Sequence, residues 1–317
     1  PCARKLRRFS CNCSFLTRTE TPLPFRRARP SSLQTSARRR IMAFFARAAK
    51  EIPPGITSDD VRYISITIVA LTCVFVTLNR FLCPKFAPRF MRKEPFLLAF
   101  ELTCFAPLAY CAYVGTRGWL YDLNVGYETP HQRLHKPLPL SSRKMILCNC
   151  AFQIWDFIIS LRHAQLNSIE MLMHHALAAA LCLAGLHIGF GQYYGLFFMG
   201  VTETSSLPLV WVDLGKYYPE LAKRCSGMDL LAKVIFGLMF IAVRDVLFMK
   251  HSITLWKDSF AVLAAGTAKF PGVTKAFLVT NLFFNVLQIA WTKKLLDGLF
   301  ELINGGGKDE ADKDKEE

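Results

Sequence analysis

From about residue 61 the chain alternates long apolar runs with short charged breaks. Seven runs read as membrane-crossing helices: about 61–82, 95–114, 145–161, 168–188, 191–212, 228–249 and 274–296. Most reach the ~17 to 25 residues that a helix needs to cross the hydrocarbon. Their apolar positions do not alternate with period two, so a closed barrel is excluded. The pattern predicts an all-α fold, a polytopic transmembrane helical bundle. The run 252–268 holds Lys257 and Asp258 near its middle. It is expected to be re-entrant or interfacial, with an eighth span as the alternative.

Charge changes the picture only at the ends. The 317 residues are 52% apolar with a net charge of +15, but +12 of it lies in residues 1–50, where eleven Arg and two Lys face Glu20 alone. A basic arm on a nearly neutral apolar body is not the footprint of a nucleic-acid-binding fold, and no nucleic-acid partner is expected. Residues 1–41, rich in Arg, Ser and Pro, read as a basic disordered leader. It either resembles an organelle transit peptide or precedes the smoother sequence that Met42 opens. Residues 42–60 follow as a pre-membrane segment, 61–303 as the membrane domain and 304–317 as a disordered charged tail.

Lys and Arg in the breaks after spans one, three, five and seven (Lys85, Arg89, Arg92 and Lys93; Arg162; Lys216, Lys223 and Arg224; Lys293 and Lys294) fall on one side of a seven-span chain. That side is read as cytosolic. The connection 115–144, with Arg117, Arg133, Lys136, Arg143 and Lys144, pulls the other way. The chain ends Lys313-Asp314-Lys315-Glu316-Glu317, with lysines third and fifth from its carboxyl end. That is either a dilysine signal for retrieval to the endoplasmic reticulum or a solvated tail. An organelle membrane is the alternative location if the leader is a transit peptide.

The eleven cysteines fall largely inside apolar runs, where they act as small hydrophobes. No Cys-x-x-Cys occurs, and the Cys11/Cys13 and Cys148/Cys150 pairs lack a second cluster to complete a tetrahedron. No metal site is expected.

Ionisable side chains inside spans cost on the order of 2.5 to 3.5 kcal/mol each on insertion scales, so each implies a partner or a task. Asp156 lies five residues before the end of the third span and His174 six after the start of the fourth. Across a short turn both sit roughly 8 to 9 Å below the same surface. Glu101 in span two and Glu203 in span five share that half of the bundle. Asn281, Asn285, Gln288 and Thr292 form one polar stripe on the last span. These residues are expected to converge on a buried polar cavity. Glu170 and His174 are four apart, the spacing at which a carboxylate orients an imidazole. His175 points about 100° away. Either histidine can serve as a general base or an acyl-accepting nucleophile, or the pair can simply lock helices together. Arg244 is expected in the opposite half, paired with Asp245 or snorkelling to the surface.

At these residues the chain resembles the TLC (TRAM, LAG1, CLN8 homology) family of membrane proteins. The resemblance rests on Met173-His174-His175, on Glu203-Thr204-Ser205-Ser206-Leu207-Pro208, on Arg244, and on Asn285 with Trp291 and Lys293-Lys294, and it covers roughly residues 60–303. In the ceramide synthase branch it implies N-acylation of a sphingoid base by acyl-CoA with the histidine pair catalytic. Here Gly200-Val201-Thr202-Glu203-Thr204-Ser205 stands where that branch has a paired-aspartate segment, and the loop 83–94 leaves no room for an inserted homeobox-like domain. The chain therefore looks more like the TLC-domain-containing branch, tied to membrane-lipid composition, and no robust ceramide synthase activity with ordinary sphingoid bases is expected.

The candidates are thus His174, His175, Asp156 and Glu203 as catalytic residues, and Glu101, Glu170, Ser206, Asn281, Asn285 and Gln288 for substrate binding. No cofactor is called for beyond acyl-CoA as a co-substrate, the partners are membrane lipids, and the oligomeric state is open. Two classes of function remain: a lipid acyltransferase-like enzyme, and a lipid-binding or regulatory membrane protein that uses the same cavity without turnover. A seven-span receptor is set aside, because span three ends Ser160-Leu161-Arg162 rather than in Asp-Arg-Tyr and the last span has no Asn-Pro-x-x-Tyr.

Overall fold

A computed structural model describes residues 55–123 and 126–305. The expected leader, the first part of the pre-membrane segment and the tail from residue 306 lie outside the described residues. Every regular element among the described residues is helical.

The first helix, α1, begins at Ser58 because Thr57 and Asp60 form a reciprocal capping box, Thr57 Oγ1 accepting the Asp60 amide at 3.1 Å and Asp60 Oδ2 the Thr57 amide at 3.0 Å. It runs through a π-helical turn at Leu78–Leu82 to Phe86. Helix α2, Pro95–Arg117, starts with proline at its first turn, where the missing N–H costs nothing, and ends in a second π-helical turn, Gly118–Asp122. A short helix α3, Pro130–His135, lies in the connection to α4, Leu140–Ser160.

Ser168 caps α5, Ile169–Ile188, which Gly189 stops in the left-handed region (φ 63°). Then come α6, Gln192–Phe198, a 3-10 turn, Val201–Thr204, and α7, Ser206–Tyr217. Gln192–Thr204 and Ser206–Tyr217 are bent by 41° against each other, the geometry of a broken span or a re-entrant loop, and together they are long and apolar enough to count as one span. After α8, Pro219–Arg224, one unbroken helical run comprises α9, Ser226–Met239, a π-helical stretch, Phe240–Leu247, and α10, Phe248–Ala264. Helix α11, Pro271–Gly305, closes the bundle.

Four helices are long and apolar enough to cross a membrane: Ser58–Phe86, Pro95–Tyr121, Ile169–Ile188 and Pro271–Phe300, with the broken span as a fifth. The helices expected as the third and sixth spans are present but carry more polar residues, Asn149, Gln153 and Asp156 in one and Arg244, Asp245 and Lys250 in the other. Seven spans remain compatible with this architecture.

Helix α4 lies at the centre, packed on α1, α2 and α5. Trp155 is fully buried there and stacks on Phe100, with Phe75 edge-on. Lipid tails are as apolar as leucine, so apolar burial alone does not hold such helices together; close backbone approach and interhelical hydrogen bonds do. Gly115 of α2 and Gly200, just before the 3-10 turn, show such an approach. A Cβ on Gly115 would lie 2.4 Å from the Gly200 Cα, and one on Gly200 2.6 Å from the Gly115 Cα.

The stretch 252–268 is not a separate re-entrant element, since α10 continues the sixth helix to Ala264. Its charge is explained across the fold. Asp258 receives both the Nε and Nη2 of Arg133 at 2.6 Å and also the hydroxyl of Tyr194. Arg133 Nη1 donates in turn to the carbonyls of Tyr127 and Glu128. The pairing holds the Arg133 guanidinium still further above its ordinary range. Leu134 accepts the amide of Gly191 at 2.7 Å, so α3 is fastened over the α5–α6 turn. Arg143 is likewise matched, by Asp60 at 2.6 Å. Two of the three arginines of the basic connection, Arg133 and Arg143, are therefore internally neutralised.

Candidate functional site

Asn149, Gln153, Asp156 and Ser160 recur at offsets of four, seven and eleven along α4, which is one helical face, and all four are buried. The face is turned to His175 of α5. His175 Nδ1 lies 2.6 Å from Gln153 Oε1, and its Nε2 3.4 Å from Asp156 Oδ1. Asp156 Oδ1 also accepts the Ser160 hydroxyl at 2.8 Å. Both ring nitrogens of His175 are thus held. His174 points elsewhere, edge-on to Phe284 and Trp291 of α11, and its Nδ1 is buried without a hydrogen-bond partner.

The 3-10 turn presents Glu203 to the same region. Its Oε2 accepts the Ser206 hydroxyl at 2.7 Å, and its Oε1 lies 3.4 Å from Asn149 Nδ2. Arg244 closes the network from the π-helical stretch, Nε donating to Ser205 Oγ and Nη2 to Ser206 Oγ, each at 2.8 Å, with Nη2 3.7 Å from Glu203 Oε2. Here the sequence reading needs correction. Arg244 is neither paired with Asp245 nor at the surface. It is buried beside Glu203, and Asp245 instead accepts the Thr292 hydroxyl at 2.7 Å. The physical reason is helix length: a span closing at 249 puts residue 244 toward its far end, whereas the helix runs from 226 to 264 and places it near the middle.

On α11, Asn281 accepts Trp256 Nε1 at 2.9 Å and donates to Ser252 Oγ at 3.1 Å, where Asn285 Nδ2 also donates. Gln288 is buried with its Oε1 unpartnered.

These elements enclose a cavity of about 910 Å³, mouth included. Ala178, Leu181, Cys182, Phe190, Phe277 and Phe284 give it apolar walls, and Gln153, His174, Glu203, Arg244, Asn281 and Gln288 supply its polar atoms. From Phe277 to Gln288 its α11 wall extends roughly 16 Å at the helical rise. Buried apolar walls with a few convergent polar groups are the usual make-up of a ligand pocket.

Of the candidates, His174, Glu203, Asn281 and Gln288 share this cavity. His175 and Asp156 stand behind its wall, reached through Gln153. Ser206 lies behind it too, between Glu203 and Arg244. Asn285 lines a second, adjoining cavity. Glu101 is buried on α2 with Asp213, Asp156 and Lys216 as its charged neighbours, away from both cavities. Glu170 does not orient His174. It sits in the exposed first turn of α5, and Lys294 binds its carboxylate at 2.6 Å.

Sequence reasoning did not select Asn149, Gln153, Ser160, Ser205 or Ser252. The α4 set carries the same stripe signal that was read on the last span. Ser205 stands inside the 203–208 motif, whereas Ser252 carries no signal, because its partners come from a distant helix. Among the described residues no group of three His, Cys, Asp or Glu side chains is placed to hold a metal.

A bundle of apolar helices around a buried polar cluster defines the class, an integral membrane protein of all-helical fold. The model of the TLC domain family matches residues 96–297, and the chain belongs to that family. No curated protein matches the chain.

Proposed function

We propose that this protein acts in membrane-lipid metabolism, holding a long-chain acyl lipid in the main cavity and transferring the acyl group from acyl-CoA to a lipid amine or hydroxyl. The observation that carries this reading is His174, which lines the cavity together with Glu203, Arg244 and Gln288 and whose buried Nδ1 has no hydrogen-bond partner. In that reaction the acceptor nitrogen or oxygen attacks the thioester carbonyl and gives its proton to His174. The new C–N or C–O bond forms as the C–S bond breaks, and His174 passes the proton on to the departing CoA thiolate, which leaves as the thiol. The Arg244 guanidinium borders the same space and would stabilise the negative charge on the carbonyl oxygen. His175, held by Gln153 and Asp156, is a positioning residue for the α5 wall.

Membership of the TLC family supports an endoplasmic-reticulum membrane, with membrane lipids as partners. A sphingolipid is one acceptor class. The absence of paired aspartates at 200–205 supports an acceptor other than an ordinary sphingoid base.

One observation favours a second reading, lipid binding without turnover. His175, Glu203 and Arg244 are all committed to one another or to nearby polar side chains, which leaves His174 as the uncommitted member of the network. Lipidomics of cells expressing wild type, His174→Ala, or the His174→Ala, His175→Ala double variant tests both readings, paired with acyl-CoA turnover by the purified proteins. His174→Ala breaks no hydrogen bond of its Nδ1, so a folded variant that has lost turnover supports the enzyme. Bound lipid without turnover in either protein supports the binder, and an unaltered lipid profile overturns both.

A further inference from the structure

Arg244 and Gln288 border a second, more open cavity, about 780 Å³ with its open mouth included, on the far side of the same partition. Its α11 wall carries Asn285, Gln288, Ile289, Thr292 and Lys293, at offsets that keep one helical face, and Asp245 and Met249 stand opposite. Ile289 is 60% exposed and Met249 39%, so the cavity opens sideways onto the lipid-facing surface. Its floor is polar. Gln288 is 3% exposed with a buried, unpartnered Oε1, and Arg244 lines the same floor. At the rim, Lys293 is exposed and forms no ion pair with a described residue, whereas its neighbour Lys294 is taken by Glu170. Asp245 has both carboxylate oxygens turned to Thr292.

We propose that this second cavity is a binding site for the head of a phosphate-bearing membrane lipid, which reaches it sideways from the bilayer. Lys293 at the rim and, at the floor, the Nη1 of Arg244, which Ser205, Ser206 and Glu203 leave uncommitted, suit a phosphate that comes in head first past Asp245 while its chains stay against Ile289 and Met249. Gln288 Oε1 is an acceptor still lacking a donor, and the P–OH of a phosphate monoester head supplies one. A cationic amphiphile with no phosphate meets Lys293 and Arg244 with its own charge and is disfavoured. The two cavities meet only at the Arg244 and Gln288 side chains, so a lipid in the second would touch the chamber without occupying the first. The inference rests on this lining and not on the acyl-transfer reading.

The experiment uses the purified full-length protein in detergent, a diazirine-tagged phosphatidic acid and a diazirine-tagged long-chain alkylamine, with labelled peptides mapped by mass spectrometry. The phosphatidic acid probe is expected to label peptides containing Met249 and Ile289. Unlabelled phosphatidic acid should compete, and inorganic phosphate at millimolar concentration should not. Ile289→Trp should block labelling by filling the opening, and Lys293→Gln should lower it roughly five-fold, the scale of one lysine contact at a membrane surface. Equal labelling by the alkylamine, competition by inorganic phosphate, or labelling indifferent to both substitutions would overturn the proposal. Cys182→Trp fills the main cavity instead and should leave this labelling in place. Loss of acyl-CoA turnover in that variant speaks to acyl transfer separately.

Discussion

Replacing Arg244 by methionine removes the one cation from a buried network and leaves the Glu203 carboxylate, 7% exposed, with only the Ser206 hydroxyl and a long contact to Asn149. Truncating one partner of a buried pair costs about 3 to 5 kcal/mol, because the charge left behind is uncompensated. At about 2 to 4 °C per kcal/mol for a domain of this size, Arg244→Met should lower the melting temperature by roughly 6 °C or more. Replacing both members is different. With Glu203→Leu added, the cluster is apolar and only the two serine hydroxyls need new partners. Ser205 Oγ already donates to the Thr202 carbonyl at 2.8 Å, so the double variant should recover to within about 2 kcal/mol of wild type. With the exposed Cys73 and half-buried Cys225 replaced by serine, the rise in a thiol-reactive fluorogenic dye on heating in detergent reads this melt, since Cys104, Cys111, Cys148, Cys150 and Cys182 are buried free thiols that unfolding exposes. An Arg244→Met melt within about 2 °C of wild type, or a double variant as unstable as the two singles added together, would refute the argument that this pair is buried and coupled.

Three further outcomes follow from the geometry. Gly200→Val should prevent the 3-10 turn from seating on α2, because its side chain would meet Gly115 backbone at sub-van-der-Waals distance, and should be seen as loss of monodisperse protein in size-exclusion chromatography. Arg133→Met leaves Asp258 buried without its cation and should speed hydrogen exchange in residues 126–137 while sparing α4 amides. His135 is buried with neither nitrogen bonded, and burial, with His131 and Lys269 nearby, holds its pKa down at about 4. An unfolded ring titrates near 6.5, so between these values the opened state binds more protons; the stability of α3 should fall as pH drops from about 6.5 toward 4 and be flat above, and His135→Phe should remove that slope in exchange measured across the range.

How far the sequence could be read depends on whether a feature is local. The fourth span, read as 168–188, is observed as Ile169–Ile188 because its limits are set by residues in place, Ser168 as cap and Gly189 as stop. The proximity of Asp156 to the histidines was likewise legible, since a short turn fixes the register of two neighbouring helices. It is His175, however, and not His174, that meets Asp156. Features made by distant parts of the chain were not legible. Asp258 looked like a flaw in an apolar run until Arg133, 125 residues earlier, was found on it. Glu170 had the right spacing for His174 but lay at an exposed helix start, where Lys294 outcompetes a buried ring for a solvated carboxylate. The depth of Arg244 depended on where its helix ends, and apolar composition did not mark that end at 264.

The site is built where two helices give up α geometry. Glu203, Ser205 and Ser206 belong to or adjoin the 3-10 turn that breaks the fifth span, and Arg244 belongs to the π-helical stretch that widens the sixth. In a bilayer such departures are tolerated only where protein covers the backbone or a cavity borders it, because lipid satisfies no freed N–H or C=O. Here the two departures face each other across Arg244 and the serines, and each supplies what the other lacks. The tightened turn brings three acceptor oxygens within reach of one guanidinium. The widened turn changes the register of the side chains along the sixth helix, so that Arg244 faces inward while its neighbour Asp245 faces Thr292. A regular helix through 240–247 would hold one fewer residue in each turn and rotate everything beyond it by about 100° per residue gained. Arg244 and Ser252 could not then both face their present partners in the 3-10 turn and on α11. The irregular backbone, rather than the histidine pair alone, is what gathers five helices' polar groups into one chamber.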